Sequence, residues 1–223
     1  MKKTSWIAGA LALLLLLALS ACAETVPEEP ETTPAPTATP TASPVPEKVL
    51  VVYFSRTGEM PETGEIKQGS TRILAELIAD RFYSDVYEIV PDPEDRYPDT
   101  WEELSALALE EQQNKARPPL RGELPSLSEY RTIFIGAPIW YGDWPMILYT
   151  FLEGVDLSGK RVIPFATGEK SVITSIRRQL ALSCPESRVE GGLTVLGHVV
   201  QNAPEEAEAT LDRYLRDLGF DIA

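Results

Sequence analysis

The chain has 223 residues, which is enough for one domain of ordinary size with extensions or for two small domains. Its 34 acidic and 20 basic side chains give a net charge of -14. A surface that negative repels nucleic-acid phosphates, so we expect no nucleic acid among the partners of this protein. Composition then divides the chain into three segments, residues 1–22, 23–47 and 48–223.

Residues 1–22 have the pattern of a lipoprotein signal peptide. Two lysines precede an apolar run over residues 6–19, which is shorter than the roughly 20 residues of a membrane-spanning helix. The run ends in the letters LSAC, which resemble the bacterial lipobox. We therefore expect Cys22 to be lipidated and to anchor the protein to the cell membrane on its extracytoplasmic side. The alternative is an ordinary cleaved signal in which this cysteine is a coincidence.

Residues 23–47 have the composition of a tether. They hold seven Pro, six Thr and five Glu and no aromatic residue. Such a segment buries too little apolar surface to fold, and its prolines keep it extended. An anchor followed by a spacer predicts that residues 48–223 act outside the cytoplasm.

Cysteine and histidine are too rare for several kinds of site. The chain has two cysteines, Cys22 and Cys184, and one histidine, His198. This count argues against an intrachain disulfide framework, a zinc site and thiol redox chemistry. We expect Cys184 to be a buried apolar residue and His198 to be a packed or surface residue, and we predict no metal site.

Residues 48–223 alternate apolar runs with segments of helical periodicity. The predicted strands are 48–54, 86–90, 131–136, 161–166 and 193–200. The predicted helices begin at Ser70, at Thr100, at Trp144, near Val172 and at Pro204. Continuous apolar strands separated by helices indicate an α/β domain, in which a doubly wound parallel sheet has helices on both faces.

Two polar segments between the first strand and the first helix are suited to bind a phosphate. Hydroxyls, glycines and the free N–H groups of a helix N-terminus are the donors that a phosphate needs, although the same residue types also cap helices. The candidate ligands are Ser55, Arg56, Thr57, Gly58, Ser70 and Thr71.

The loops after the third and fourth strands complete the candidate site, because ligands bind at the carboxyl ends of parallel strands. The candidates after the third strand are Pro138, Ile139, Trp140, Tyr141, Gly142 and Asp143. Those after the fourth strand are Thr167 and Gly168. Aromatic faces there can stack on a planar ligand, although we expect one of Trp140, Tyr141 and Trp144 to be a core residue.

Taken together, these loops resemble the flavodoxin family from about Lys48 to Leu218. The family's phosphate loop reads hydroxyl, any residue, Thr, Gly, polar, Thr, and here residues 59–68 split it. The letters YGD at residues 141–143 fall where many flavodoxins have aromatic-Gly-Asp. The resemblance implies a flavodoxin-like sheet of five parallel strands in the order 2-1-3-4-5. It also implies FMN as the cofactor, held by the candidate residues named above.

The implied function is that of a membrane-tethered FMN-dependent oxidoreductase or electron-transfer flavoprotein. Because the flavin carries the chemistry, no catalytic side chain is predicted. The expected partners are the membrane lipid anchor and a redox protein, a quinone or a small electron acceptor. Residues 167–170 form a shorter and more charged loop than is usual in the family. For that reason a flavin-free binding module with the same fold stays an alternative.

Overall fold

The computed structural model of the protein describes residues 48–169 and 173–222. The predicted signal peptide, its Cys22 and the predicted tether over residues 23–47 lie outside the described residues. Within the described part, every helix is too short or too polar to cross a membrane.

Six strands form one sheet, and every neighbouring pair in it runs parallel. They are β1 (Val49–Phe54), β4 (Asp85–Ile89), β5 (Thr132–Pro138), β6 (Arg161–Gly168), β7 (Arg188–Val189) and β8 (Leu193–Leu196). The order is β4-β1-β5-β6, and both β7 and β8 pair with β6. When β7 and β8 are counted as one edge position, the strands follow the predicted order 2-1-3-4-5. The predicted flavodoxin-like fold is confirmed.

The predicted fifth strand, residues 193–200, begins where the structure has it but is too long at its C-terminal end. The edge position is shared by the two-residue β7 and by β8, which stops at Leu196 and not at residue 200. Leu196 pairs with Gly168, the last residue of β6. Among the described residues no partner strand continues beyond it, and the backbone forms its own hydrogen bonds in the short helix α5 (Gly197–Asn202).

Helices cover both faces of the sheet. They are α1 (Ser70–Phe82), α2 (Trp101–Asn114), α3 (Met146–Gly154), α4 (Ile173–Ser183), α5 and α6 (Pro204–Asp217). Alternate residues of β1 point to opposite sides, as the period of a strand requires. Leu50 and Val52 pack with residues of α2, α3 and α4, whereas Val51 packs with residues of α1, α5 and α6.

Two helix starts illustrate how the local sequence sets the boundaries. Helix α1 begins at Ser70 as predicted. Helix α3 begins at Met146, two residues later than predicted, with Pro145 as its N-cap. The residues before it are held in a tight turn, described below, and proline is favoured near the first position of a helix.

The ten residues that split the phosphate loop are not an open loop. They contribute to an antiparallel hairpin of β2 (Gly58–Met60) and β3 (Gly64–Ile66). The hairpin pairs with itself and forms a separate two-stranded sheet. Residues 58–66 are called the inserted hairpin below.

Candidate functional site

A cavity of about 530 Å³ lies at the carboxyl ends of β1, β5 and β6. This is the edge of a parallel sheet at which ligands bind. The structure brings together there most of the residues predicted to hold a cofactor. They are Ser55, Arg56, Ser70, Thr71, Pro138, Ile139, Trp140, Tyr141, Gly142, Thr167 and Gly168.

Three of the predicted residues lie outside this cavity. Thr57 is exposed and lines a second depression of about 370 Å³ on the other side of its loop. Gly58 lies in the inserted hairpin, and a Cβ there would stand 2.5 Å from the carbonyl oxygen of Asp99. The Asp143 carboxylate accepts hydrogen bonds of 2.8 Å from the Trp144 N–H and 2.8 Å from the Tyr149 hydroxyl. Gly58 and Asp143 therefore shape the loops that surround the cavity.

Sequence reasoning missed three parts of the cavity wall. They are the tip of the inserted hairpin, the first turns of α2, and the residues that follow β6 and β8. The missed lining residues are Met60, Pro61, Glu62, Thr63, Trp101, Leu104, Ser105, Ala108, Glu169, Gly197 and His198. The one sequence signal for the hairpin was its position inside a phosphate-loop motif; α2 gave none.

The N-terminus of α1 supplies the polar end of the cavity. The first N–H groups of a helix have no acceptor within it, and they carry the positive end of the helix dipole. Ser55 Oγ accepts one of them, from Arg72 at 3.1 Å. Ser70 and Thr71, the first two residues of α1, line the cavity. The buried hydroxyls of Thr71 and Thr167 lie 2.7 Å apart. These groups form a donor set suited to a phosphate.

Ser70 also connects α1 to α5. Its hydroxyl donates to the Gly197 carbonyl at 3.3 Å and accepts from the Gln201 amide at 3.1 Å. The same amide donates to the Gln68 carbonyl at 2.8 Å. Helix α5, which sequence analysis took for the end of a strand, therefore supports the loop that precedes α1.

Arg56 lines the cavity, but its guanidinium is occupied by the backbone. It donates to the carbonyls of Glu59 at 3.0 Å, Asp99 at 2.9 Å and Pro98 at 3.3 Å. The side chain is buried, and this burial lowers the pKa of Arg56. We interpret Arg56 as the residue that fixes the inserted hairpin to the loop before α2.

Residues 140–143 form a tight turn at the mouth of the cavity. Trp140 and Asp143 exchange two backbone hydrogen bonds of 3.0 Å. Tyr141 has a φ of 49° and Gly142 a φ of 77°, and positive φ at both central positions is the pattern of a type I′ turn. Half of Tyr141 is exposed, and its hydroxyl donates to the Ser105 carbonyl at 3.0 Å. The turn thus follows β5 in the chain and contacts α2 through Tyr141.

The other two aromatic residues of this segment belong to the core. Trp140 meets Phe54 and Tyr97 edge-on, with ring centroids 5.6 and 5.0 Å apart. Trp144 is fully buried, and its indole N–H donates to the Ile176 carbonyl at 3.1 Å. Two of the three aromatics are core residues where one was expected. An edge of Trp140 still lines the cavity.

Charged groups in the cavity wall are few. Glu62 and Glu169 supply carboxylates, and Arg56 and His198 are the lining residues that can carry positive charge, counted over the described residues. His198 Nδ1 lies 2.7 Å from Glu62 Oε2. Within residues 48–169 and 173–222, no group of three His, Cys, Asp or Glu side chains is placed to hold a metal ion.

Comparison with known proteins points to one family. A sequence profile of the flavodoxin family matches residues 48–206. A protein from Bacteroides uniformis ATCC 8492, described as a flavoprotein, is 33% identical to this chain. The match covers 74% of this chain and 98% of that one, with a TM-score of 0.60. No curated protein matches this chain in a sequence comparison.

Two further solved structures share the fold. One, from Bacteroides eggerthii DSM 20697 and also described as a flavoprotein, is 27% identical, with 75% of this chain and 97% of that one covered and a TM-score of 0.53. The other is a flavoprotein from Lactobacillus acidophilus NCFM in complex with FMN. It is 19% identical, with 75% of this chain and 98% of that one covered and a TM-score of 0.54.

The start of α1 provides a test of how tightly this site is built. A Cβ on Gly69 would lie 2.1 Å from Ser55 Oγ and 2.3 Å from the Arg56 carbonyl oxygen. We expect Gly69→Ala to lower the free energy of unfolding by about 1–3 kcal/mol, the range for overpacking, in a urea titration of the full chain. Gly197→Ala is the matched control, since its Cβ would lie 3.5 Å from Ser70 Oγ. Equal stability of the two variants would contradict the close approach at Gly69.

Proposed function

This chain belongs to the flavodoxin family, and we propose that it binds FMN in the 530 Å³ cavity and takes part in electron transfer or in the reduction of a small acceptor. The observation that carries the proposal is that one cavity joins the phosphate donors at the start of α1 to an apolar and aromatic wall. FMN is the cofactor that the family supports, and the relative from Lactobacillus acidophilus is solved with it.

The residues present fit the two ends of this cofactor. The N-terminus of α1, with the hydroxyls of Thr71 and Thr167, supplies neutral donors and a favourable dipole for the phosphate. Trp101, Leu104 and Tyr141 supply apolar and aromatic surface for a planar ring. The cavity also has the volume usual for sites of small ligands and cofactors.

When bound, the flavin supplies the redox chemistry, and the chain's residues bind it, orient it and exclude water. The turn at residues 140–143 lies beside the cavity, where its backbone can contact the edge of the ring. Cys184 is buried, and burial raises the pKa of its thiol to about 11, so it is not a nucleophile. We therefore assign no catalytic step to a side chain of this protein.

We propose further that the protein works outside the cytoplasm, anchored through Cys22 and held away from the membrane by residues 23–47. The support is the sequence pattern of these segments. Soluble nicotinamide cofactors are scarce in that compartment. Electrons would therefore come from a membrane protein or a quinone, and go to a redox protein or a small acceptor.

Removing a phosphate donor tests the orientation of FMN. In the flavin-free chain the Ser70 hydroxyl donates to the Gly197 carbonyl, and we expect it to turn to the phosphate when FMN binds. Ser70→Ala should then weaken FMN binding on the order of 10- to 100-fold, the effect of one lost charge-assisted hydrogen bond. Riboflavin, which lacks the phosphate, should lose much less. Thr57→Ala is the comparison within the same motif. Because the structure places Thr57 outside the cavity, we expect it to cause the smaller loss. Fluorescence titration of the wild type and both variants with both flavins measures the six affinities.

Two results would contradict this orientation. If Ser70→Ala weakened both flavins equally, the hydroxyl would only support the link between α1 and α5. If Thr57→Ala caused the larger FMN-specific loss, the phosphate would lie on the other side of the loop, in the second depression.

Substitution of Cys22 tests the anchor. Without a thiol the lipid cannot be attached, so we expect Cys22→Ser to abolish incorporation of a radiolabelled fatty acid and to leave the signal uncleaved or the protein released. Cys184→Ser is the matched control and should keep both the label and the membrane association. A label that persists in Cys22→Ser would contradict lipidation at this residue.

A further inference from the structure

The inserted hairpin spans the cavity from one face of the sheet to the other. Its base contacts the loop before α2, and both this loop and α2 pack in the core cluster on one face of the sheet. Its tip reaches α5, which packs with the cluster on the opposite face. The tip residues, Met60 to Thr63, line the cavity between these two points.

Several interactions fix the base of the hairpin. The Glu59 N–H donates to the Asp99 carbonyl at 2.8 Å, and Glu59 Oε2 accepts from the Trp101 N–H at 3.0 Å. The Glu59 carboxylate thus satisfies a free N–H at the start of α2, where negative charge is favourable. Arg56 adds its hydrogen bonds to the same segment. We expect the base to stay in place when the tip moves.

The tip is held at two places. The Met60 sulfur accepts a hydrogen bond of 3.8 Å from Arg56, and residues 61–63 are held by an interaction with α5. His198 Nδ1 lies 2.7 Å from Glu62 Oε2, with 41% and 44% of the two side chains exposed. In the part of the chain that the structure describes, it is the one hydrogen bond that joins residues 61–63 to the rest of the domain. The interaction lies at the cavity, since both side chains line it.

We propose that the pair Glu62–His198 closes the inserted hairpin over the bound cofactor and slows its release. This inference rests on the proposed function, because the cofactor concerned is FMN. The two residues act by position: they hold the tip of the hairpin and transfer nothing. A closure of this kind acts on any flavin in the cavity, whereas a direct contact between His198 and the phosphate would act on FMN alone.

The size of the effect follows from the exposure of the pair. A hydrogen bond between partly exposed side chains contributes little, so breaking this one should speed release about two- to fivefold.

The first experiment measures the dissociation rates of FMN and of riboflavin from the full chain by stopped-flow fluorescence. The variants are Glu62→Gln, His198→Gln and the double variant, with Glu65→Gln as a matched control because Glu65 lies in the same hairpin but outside the cavity lining. We expect each single variant to release both flavins about two- to fivefold faster. The double variant should be no faster than the single ones, and Glu65→Gln should match the wild type.

Three outcomes would overturn the closure. Additive effects in the double variant would mean that the two residues act separately. A faster release of FMN but not of riboflavin would make His198 a phosphate ligand. An equal effect of Glu65→Gln would show that only the total charge of the hairpin matters.

The second experiment needs no flavin. Hydrogen exchange of the flavin-free chain should be faster over residues 60–66 in Glu62→Gln and His198→Gln than in the wild type and in Glu65→Gln. Unchanged exchange in both variants would overturn the closure itself. A wild-type chain that binds neither flavin would contradict the proposed function and, with it, any effect on flavin release. The exchange data would still decide whether the pair holds the hairpin.

Discussion

The close approach of Gly69 to the Ser55 hydroxyl and the Arg56 carbonyl is the constraint on which the site depends. The chain leaves the end of β1, forms a hairpin, and returns to within contact distance of the point at which it left. Only a residue without a Cβ fits there. Because the return is this tight, α1 begins beside the end of β1, and its first N–H groups lie at the carboxyl edge of the sheet.

The inserted hairpin forms part of the cavity wall and is not a loop on the protein surface. Arg56 and Glu59 attach the base of the hairpin to the segment before α2, and Glu62 attaches the tip to α5. Tyr141 contacts α2 from the other side, through Ser105. The result is a cavity whose polar end is set by the helix dipole of α1 and whose apolar wall is contributed by elements far apart in sequence.

Much of the fold follows from local sequence, and the site follows only partly. The strands β1, β5 and β6 are continuous apolar runs because the sheet buries both of their faces, and such runs are visible without a structure. The β-branched residues of α5 were misinterpreted as a strand, since β6 ends before it and only tertiary structure shows this. Trp140 and Trp144 look like Tyr141 in sequence, but which ring is buried depends on packing against Phe54 and Ile176.

The most direct measurement is a titration of the flavin-free full chain with FMN, followed by the change in flavin fluorescence. We expect saturable binding with one FMN per chain, and tighter binding of FMN than of riboflavin because the phosphate meets the N-terminus of α1. Absence of saturable binding, in a chain shown by circular dichroism to be folded, would contradict it. In that case the fold would serve as a flavin-free binding module.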